Sequence, residues 1–203
     1  MLHRNAISPG ALALLEKLSR LAEAQDFALG GGTALALRFG HRKSVDLDFF
    51  SNHSFDVPGI TDRLRDLFTC RVIQSAETSL SIILDEVKVD WLTYRYPLLR
   101  EVEQHDHIRM LSVPDIGAMK LAAVSNRGDK KDFFDVHALL KRHSLQEMLG
   151  WYEKKYPQHE TFLVYRSLCY FADAEHSPEP ISLDGTLWTE VKATVCQAVR
   201  ELA

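Results

Sequence analysis

The run Val45-Asp46-Leu47-Asp48-Phe49-Phe50 constrains the fold of this chain more than any other stretch. Apolar and acidic residues alternate with period two, the pattern of a β-strand that turns one face to a core and presents carboxylates on the other. Residues two apart in a strand share a face, so Asp46 and Asp48 stand side by side. Two like charges about 4 Å apart repel by about 1 kcal/mol in water and about 4 kcal/mol at an effective dielectric near 20. A divalent cation offsets that repulsion, and carboxylate-held Mg²⁺ ions serve phosphoryl and nucleotidyl transfer. An isolated pair of this kind is more often a solvated strand face, so the neighbouring sequence has to decide its meaning.

Upstream, Ser8 and Pro9 form an N-cap and first-turn pair, and Leu14, Leu18, Leu21 and Ala22 recur at helical spacing. Phe27-Ala28-Leu29 reads as a short buried strand that runs into Gly30-Gly31-Gly32, and Thr33 to Phe39 reads as a helix closed by Gly40. A glycine-rich strand-to-helix turn offers backbone N–H groups and a helix N-terminus to phosphate oxygens, although tight turns also need glycine for steric reasons alone. Downstream, Val57 to Phe68 has helical spacing, and Ser79 to Leu84 and Val87 to Thr93 are alternating strands joined by Asp85-Glu86 as a hairpin turn. The second of these strands carries a third acid, Asp90, with Lys88 on the same face. Three acids on adjacent strands suggest a metal cage of Asp46, Asp48 and Asp90.

After Pro114 the pattern becomes helical: 115–126, 131–143, 145–156, 161–171 and 186–202, with a polar loop at 174–180. The expected architecture is α+β, a mixed sheet of four or five strands with flanking helices and a helical C-terminal part. It divides into 1–112 and 113–203, or forms one continuous domain. The 203 residues suffice for a real core, and 46% apolar with 26% charged residues argues against disorder. A net charge of -4 means that contact with a polyanion depends on local clusters of basic residues. Cys70, Cys169 and Cys196, odd in number and without a CxxC, read as reduced, buried thiols. No stretch reaches the length of apolar sequence that spans a bilayer, so a cytoplasmic protein without membrane contact is expected.

The run Leu29-Gly30-Gly31-Gly32-Thr33-Ala34-Leu35, followed by Arg42-Lys43-Ser44-Val45-Asp46-Leu47-Asp48-Phe49-Phe50, resembles the AbiEii/AbiGii-type toxins of the DNA-polymerase-β-like nucleotidyltransferase superfamily. The family's glycine pair falls on Gly31-Gly32, with thirteen residues before Asp46. Lys120-Leu121-Ala122-Ala123, Arg127 and Lys131-Asp132-Phe133-Phe134-Asp135 are similar to its later segment, so the likeness covers about 27–140. It implies transfer of a nucleoside monophosphate from an NTP to a hydroxyl acceptor with two Mg²⁺ ions. Asp46 and Asp48 then ligate the ions that bridge the triphosphate. Asp90 completes the site and helps to deprotonate the acceptor, while Gly31, Gly32 and Thr33 hold the β and γ phosphates. Arg42 and Ser44 bind phosphate or shape the entry to the strand.

Lys120 joins the acids in the catalytic set, because the apolar setting Ile116 to Val124 is an odd place for a stranded surface lysine. Arg127, one helical face with Lys120, reaches toward the nucleotide together with Lys88 and Lys131. Lys131 gains nothing from the helix dipole in a first turn and so has reason to face a ligand. Asp129 and Asp132 read as an N-cap and capping box. Asp135, one turn after Lys131, pairs with it or positions the base or acceptor. His105 and His107 lack a third ligand nearby and read as exposed. The resemblance further implies a tRNA, other RNA or protein acceptor, and a toxin of a type IV-like system with a cognate antitoxin. A small-molecule nucleotidyltransferase of the antibiotic-modifying kind, or a non-catalytic nucleotide- or partner-binding module, are the competing readings.

Overall fold

The computed structural model describes residues 1–202. The first helix, α1 (Pro9–Leu18), starts where the sequence signals it: Pro9 occupies the first turn, and the Ser8 hydroxyl accepts from the Ala11 N–H at 3.1 Å. Strand β1 (Ala28–Leu29) leads directly into α2 (Gly31–Phe39), which Gly40 ends in the left-handed conformation at φ 64°. Strand β2 (Leu47–Ser51) follows, so Asp48 lies within it and Asp46 just ahead of it. Helix α3 (Val57–Leu67) and strands β3 (Cys70–Ala76), β4 (Ser79–Leu84) and β5 (Val87–Thr93) come next. The short pair β6 (Glu103–His105) and β7 (Ile108–Met110) completes the strands. The remaining helices are α4 (Val113–Asn126), α5 (Lys130–Leu140), α6 (Leu145–Lys155), α7 (Thr161–Leu168), α8 (Ala172–Glu175) and α9 (Trp188–Arg200).

The strands form one mixed sheet in the order β3-β4-β5-β2-β1-β7-β6, parallel between β2 and β5 and between β1 and β7, antiparallel elsewhere. Seven strands exceed the four or five that the alternation indicates. β3 escapes notice because it is an edge strand, largely exposed, whose inward face is only the half-buried Cys70 and Val72. β6 and β7 have three residues each and turn at Asp106, whose φ is 55°. The Asp85-Glu86 turn is as expected, with both residues at positive φ (45° and 70°), as a two-residue I′ hairpin requires.

One sheet face is core. Leu47 and Phe49 of β2, Val89 and Trp91 of β5, and Leu80, Ile82 and Leu84 of β4 are all buried. Trp91 stacks on Phe49 at 4.7 Å and meets Phe27 edge-on at 4.8 Å. The opposite face carries Asp48 and Asp90. Helices α4 and α5 pack against α2, so the helical part is in contact with the element that follows the glycine turn. The three thiols are free, yet none is fully buried: Cys169, at the C-cap of α7, is exposed, and Cys70 and Cys196 are half-buried. Among the described residues no helix is long and apolar enough to cross a membrane.

Helices α4 and α6 are joined by a wholly buried ion pair, with Lys155 Nζ 2.7 Å from Asp115 Oδ1. The Asp115 carboxylate also accepts from the backbone N–H groups of Leu99 (2.9 Å) and Arg100 (3.3 Å), and Lys155 donates to the Pro97 carbonyl at 2.9 Å. Removing one partner leaves a buried charge without compensation. Asp115→Ala is therefore expected to lower stability by about 3–5 kcal/mol in urea unfolding, whereas a surface change such as Glu153→Gln stays within about 0.5 kcal/mol.

Candidate active site

In the parallel pair β2–β5, Asp48 lies directly opposite Asp90. Neighbours in register share a face, so the two carboxylates stand next to each other, with Asp46 one side-chain step before them and Lys88 one step before Asp90. Burial, and after it the charges of Asp90 and Asp46 acting against the relief from Lys120, push the Asp48 carboxyl above the usual carboxylate range. Lys88 is the local counter-charge, its Nζ 2.5 Å from Asp90 Oδ2. Burial opposes the charged ammonium, but Asp90, Asp46 and Asp48 outweigh it and raise the Lys88 pKa. The other Asp90 oxygen, Oδ1, is buried with no hydrogen-bond partner among the described residues. No group of three carboxylate, histidine or cysteine side chains among the described residues is already drawn together as a cage. Lys88 holds Asp90 instead; Asp48 and Asp90 are neighbours on one sheet face, and Asp46 enters from the loop just ahead of β2.

The glycine turn lies against these acids. Gly31 has φ 62°, and a side chain there would collide with the Asp48 carboxylate. Gly30 donates its N–H to the Asp48 carbonyl at 2.8 Å, which pins the turn to β2. No side chain caps α2, so its first-turn N–H groups point out beside Asp48. Thr33 is placed differently from a phosphate ligand. It is buried, and its hydroxyl bonds with the Ser44 hydroxyl (2.8 Å) and the Asp46 carbonyl. Thr33 and Ser44 thereby fasten the loop that carries Asp46.

Beneath the acids is a network of buried ions. Both oxygens of Asp135 are engaged: Oδ1 by His41 Nε2 and Arg42 Nε, each at 2.7 Å, and Oδ2 by Arg42 Nη2 at 2.8 Å and Lys120 Nζ at 2.7 Å. Lys120 also reaches Asp132 at 3.0 Å, and Asp132 receives a two-pronged contact from Arg127 at 2.8 and 2.9 Å. Burial alone would raise these carboxyl pKa values. The Arg42 and Lys120 charges instead hold Asp135 well below the usual range, and Lys120 and Arg127 lower Asp132. Desolvation disfavours the Lys120 ammonium, but Asp135 and Asp132 prevail and raise it.

Two sequence expectations are corrected here. Asp135 pairs with Arg42, His41 and Lys120, not with Lys131, and is wholly buried beneath the site, where it cannot meet a base or acceptor. Asp132 is not a capping residue; its carboxylate is consumed by Lys120 and Arg127, and Asp129, at the N-cap position, makes no side-chain cap bond.

A cleft of about 340 Å³ opens over this network. Its lining includes Asp46, Asp48, Gly32, Arg42, Ser44, Lys120, Arg127 and Lys131, so eight residues expected at the site converge there. Asp90 and Lys88 line an adjoining recess over β4 and β5. The far wall of the cleft is a segment that the motif pattern did not single out, Ser177 to Ile181. It is drawn in by a bridge between Arg42 and Ser182, and by backbone bonds from Lys43 N–H to the Ile181 carbonyl (2.8 Å) and from Leu183 N–H to the His41 carbonyl (2.9 Å). His41 is the other residue that the sequence pattern did not single out, and Asp132 is the one it gave a different role. The signal for Asp132 was present: a charge among Phe133, Phe134, Val136 and Leu139 has no solvent face and must be paired.

A family model described as "Nucleotidyl transferase AbiEii toxin, Type IV TA system" matches residues 13–190. The chain belongs to the AbiEii nucleotidyltransferase toxin family. An uncharacterised protein from Aquifex aeolicus (strain VF5) is 36% identical over 92% of this chain and 93% of its own length. Among solved structures, the fold is similar to that of MenT4, a nucleotidyltransferase toxin from Mycobacterium tuberculosis H37Rv. The TM-score is 0.58 at 16% identity, over 91% of this chain and 78% of that one. It is also similar to JHP933 from Helicobacter pylori, with TM-score 0.53 at 20% identity over 97% and 94%. For this AbiEii-family nucleotidyltransferase, the model match extends past the motif-bearing part and includes the Ser177 to Ile181 wall.

The ion network and the acids predict opposite mutational effects. Asp135→Asn leaves Arg42 and Lys120 under-compensated and is expected to destabilise by about 3–5 kcal/mol in denaturant unfolding. A depressed carboxyl contributes stability that is fully present above the unfolded value of about 4 and is lost as pH falls through the lower folded value. Stability of the unaltered chain should therefore fall below about pH 4, and part of that dependence should vanish in Asp135→Asn. Asp48→Asn, by contrast, removes a buried like charge and is expected to raise the melting temperature in chelator-treated buffer, read by circular dichroism.

Proposed function

We propose that this chain transfers a nucleoside monophosphate from an NTP to a hydroxyl of an RNA acceptor, and that it is the toxin of a pair whose antitoxin restrains it. The observation that carries the reading is the joint placement, in one cleft, of Asp46 and Asp48 with the uncapped start of α2, Lys120, Arg127 and Lys131. Its volume is within the range of small-ligand sites. Carboxylates and cations side by side suit a ligand that is anionic and arrives with divalent cations, which is the chemistry of a magnesium nucleoside triphosphate.

The donor set suits a hard cation: Asp46, Asp48 and Asp90 are all oxygen ligands, and Asp90 Oδ1 is buried without a partner among the described residues. Mg²⁺ held there would neutralise phosphate charge and favour ionisation of the acceptor hydroxyl. The protein's own groups do the rest. The first-turn N–H groups of α2 at Gly31 and Gly32 bind phosphate oxygens. Arg127 and Lys131, which are not fully buried, take the outer charge of the triphosphate. Lys120 acts from below as a fixed positive charge, because Asp132 and Asp135 keep it protonated. Asp90 lines the recess beside the cleft, and in this reading the acceptor hydroxyl enters there and gives its proton to Asp90 as pyrophosphate leaves.

Incubation with each α-labelled NTP, Mg²⁺ and total RNA should label RNA, and Asp48→Ala should lower the rate by at least about 10³-fold. Label appearing on a small acceptor instead would favour the antibiotic-type chemistry. Absence of NTP binding in calorimetry with Mg²⁺ would defeat both.

A further inference from the structure

The NTP cleft has a charged floor and an apolar rim. Two of the most exposed large apolar side chains of the protein, Val45 at 70% and Ile181 at 69%, belong to its lining, together with Pro178 and Pro180. Val45 comes from the loop that delivers Asp46, whereas the other three come from the segment before α9, far away in sequence. They meet because the Lys43–Ile181 backbone bond and the Arg42–Ser182 bridge lay that segment along the loop. The segment is fixed at its other end as well. The Ser177 hydroxyl accepts from the Lys130 N–H at 2.8 Å and donates to the Ala174 carbonyl at 2.9 Å, and each proline locks its φ.

A rigid apolar ledge beside a cationic and carboxylate floor matches a ligand with one charged end and one flat, weakly hydrated end. We propose that Val45, Pro178, Pro180 and Ile181 form the nucleobase platform of this enzyme. The strap between α8 and α9 is then a substrate-binding element, and the base lies on aliphatic and proline surface while the triphosphate occupies the floor. The inference rests on the reading of this cleft as the NTP site. It adds that affinity for a nucleoside triphosphate exceeds affinity for its phosphate chain alone, and that the excess resides in the rim.

Calorimetry in Mg²⁺ with ATP, GTP, CTP, UTP and inorganic tripolyphosphate separates the two ideas. Wild-type protein is expected to bind at least one NTP about tenfold or more tightly than tripolyphosphate. Val45→Ser and Ile181→Ser, whose loop anchors are main-chain bonds, should reduce that preference toward unity and leave tripolyphosphate affinity and the melting temperature unchanged. If wild type binds tripolyphosphate as tightly as every NTP, or if both variants keep the preference, the platform is wrong and the nucleotide site stands. If the variants lose tripolyphosphate binding too, the rim is a structural part of the floor and the platform is again overturned. If neither NTP nor tripolyphosphate binds wild type, the platform and the reading of the cleft both fall.

Discussion

Asp135 is the residue around which the site is organised. One carboxylate, removed from water, is contacted by His41, Arg42 and Lys120, which come from the α2–β2 loop and from α4, while Asp135 itself is on α5. A buried carboxylate is tolerated only when its charge and lone pairs are met, and here three cationic or polar groups do so at 2.7–2.8 Å. Because those groups lie on separate elements, satisfying one charge fixes three elements relative to one another. Asp132 repeats the device one turn earlier and brings in Arg127. The cations that reach the cleft are therefore held in place from below, before any ligand arrives, which is the condition for electrostatic catalysis without reorganisation.

The acidic face obeys the opposite logic. Asp48 is held up by its burial and by the neighbouring Asp90 and Asp46, with Lys120 and then Lys88 as partial relief. The carboxylates of the buried network are met on both oxygens, whereas Asp90 keeps one buried oxygen, Oδ1, without a partner among the described residues. At the glycine turn, Gly31 brings the start of α2 so close to Asp48 that no side chain fits between them.

Much of this was legible in the sequence, for identifiable reasons. The α1 cap and the β4–β5 hairpin depend on local spacing and turn chemistry and appear as read, and the β2 alternation does so from Leu47 onward, with Asp46 left just ahead of the strand. Asp46, Asp48, Lys120, Arg127 and Lys131 converge because motif spacing encodes them. The rest depends on distant pairing. Strand β3 has only the half-buried Cys70 and Val72 on its inward face, and β6 and β7 are too short for a period. Asp135 and Thr33 were placed against the ligand because spacing reports which face a side chain takes and not whether another charge or hydroxyl already occupies it. The wall at 177–181 carries no motif, and only the Arg42–Ser182 bridge brings it to the site.

That bridge has a consequence for the life of the molecule. It pairs residue 42 with residue 182, so the cleft wall can close only after most of the chain has left the ribosome. The acids and the glycine turn are synthesised early, but a nascent chain holding them has an open trough, not a cleft. The same long-range closure makes this contact slow to form relative to the local hairpins, so the wall is among the last parts of the active architecture to assemble.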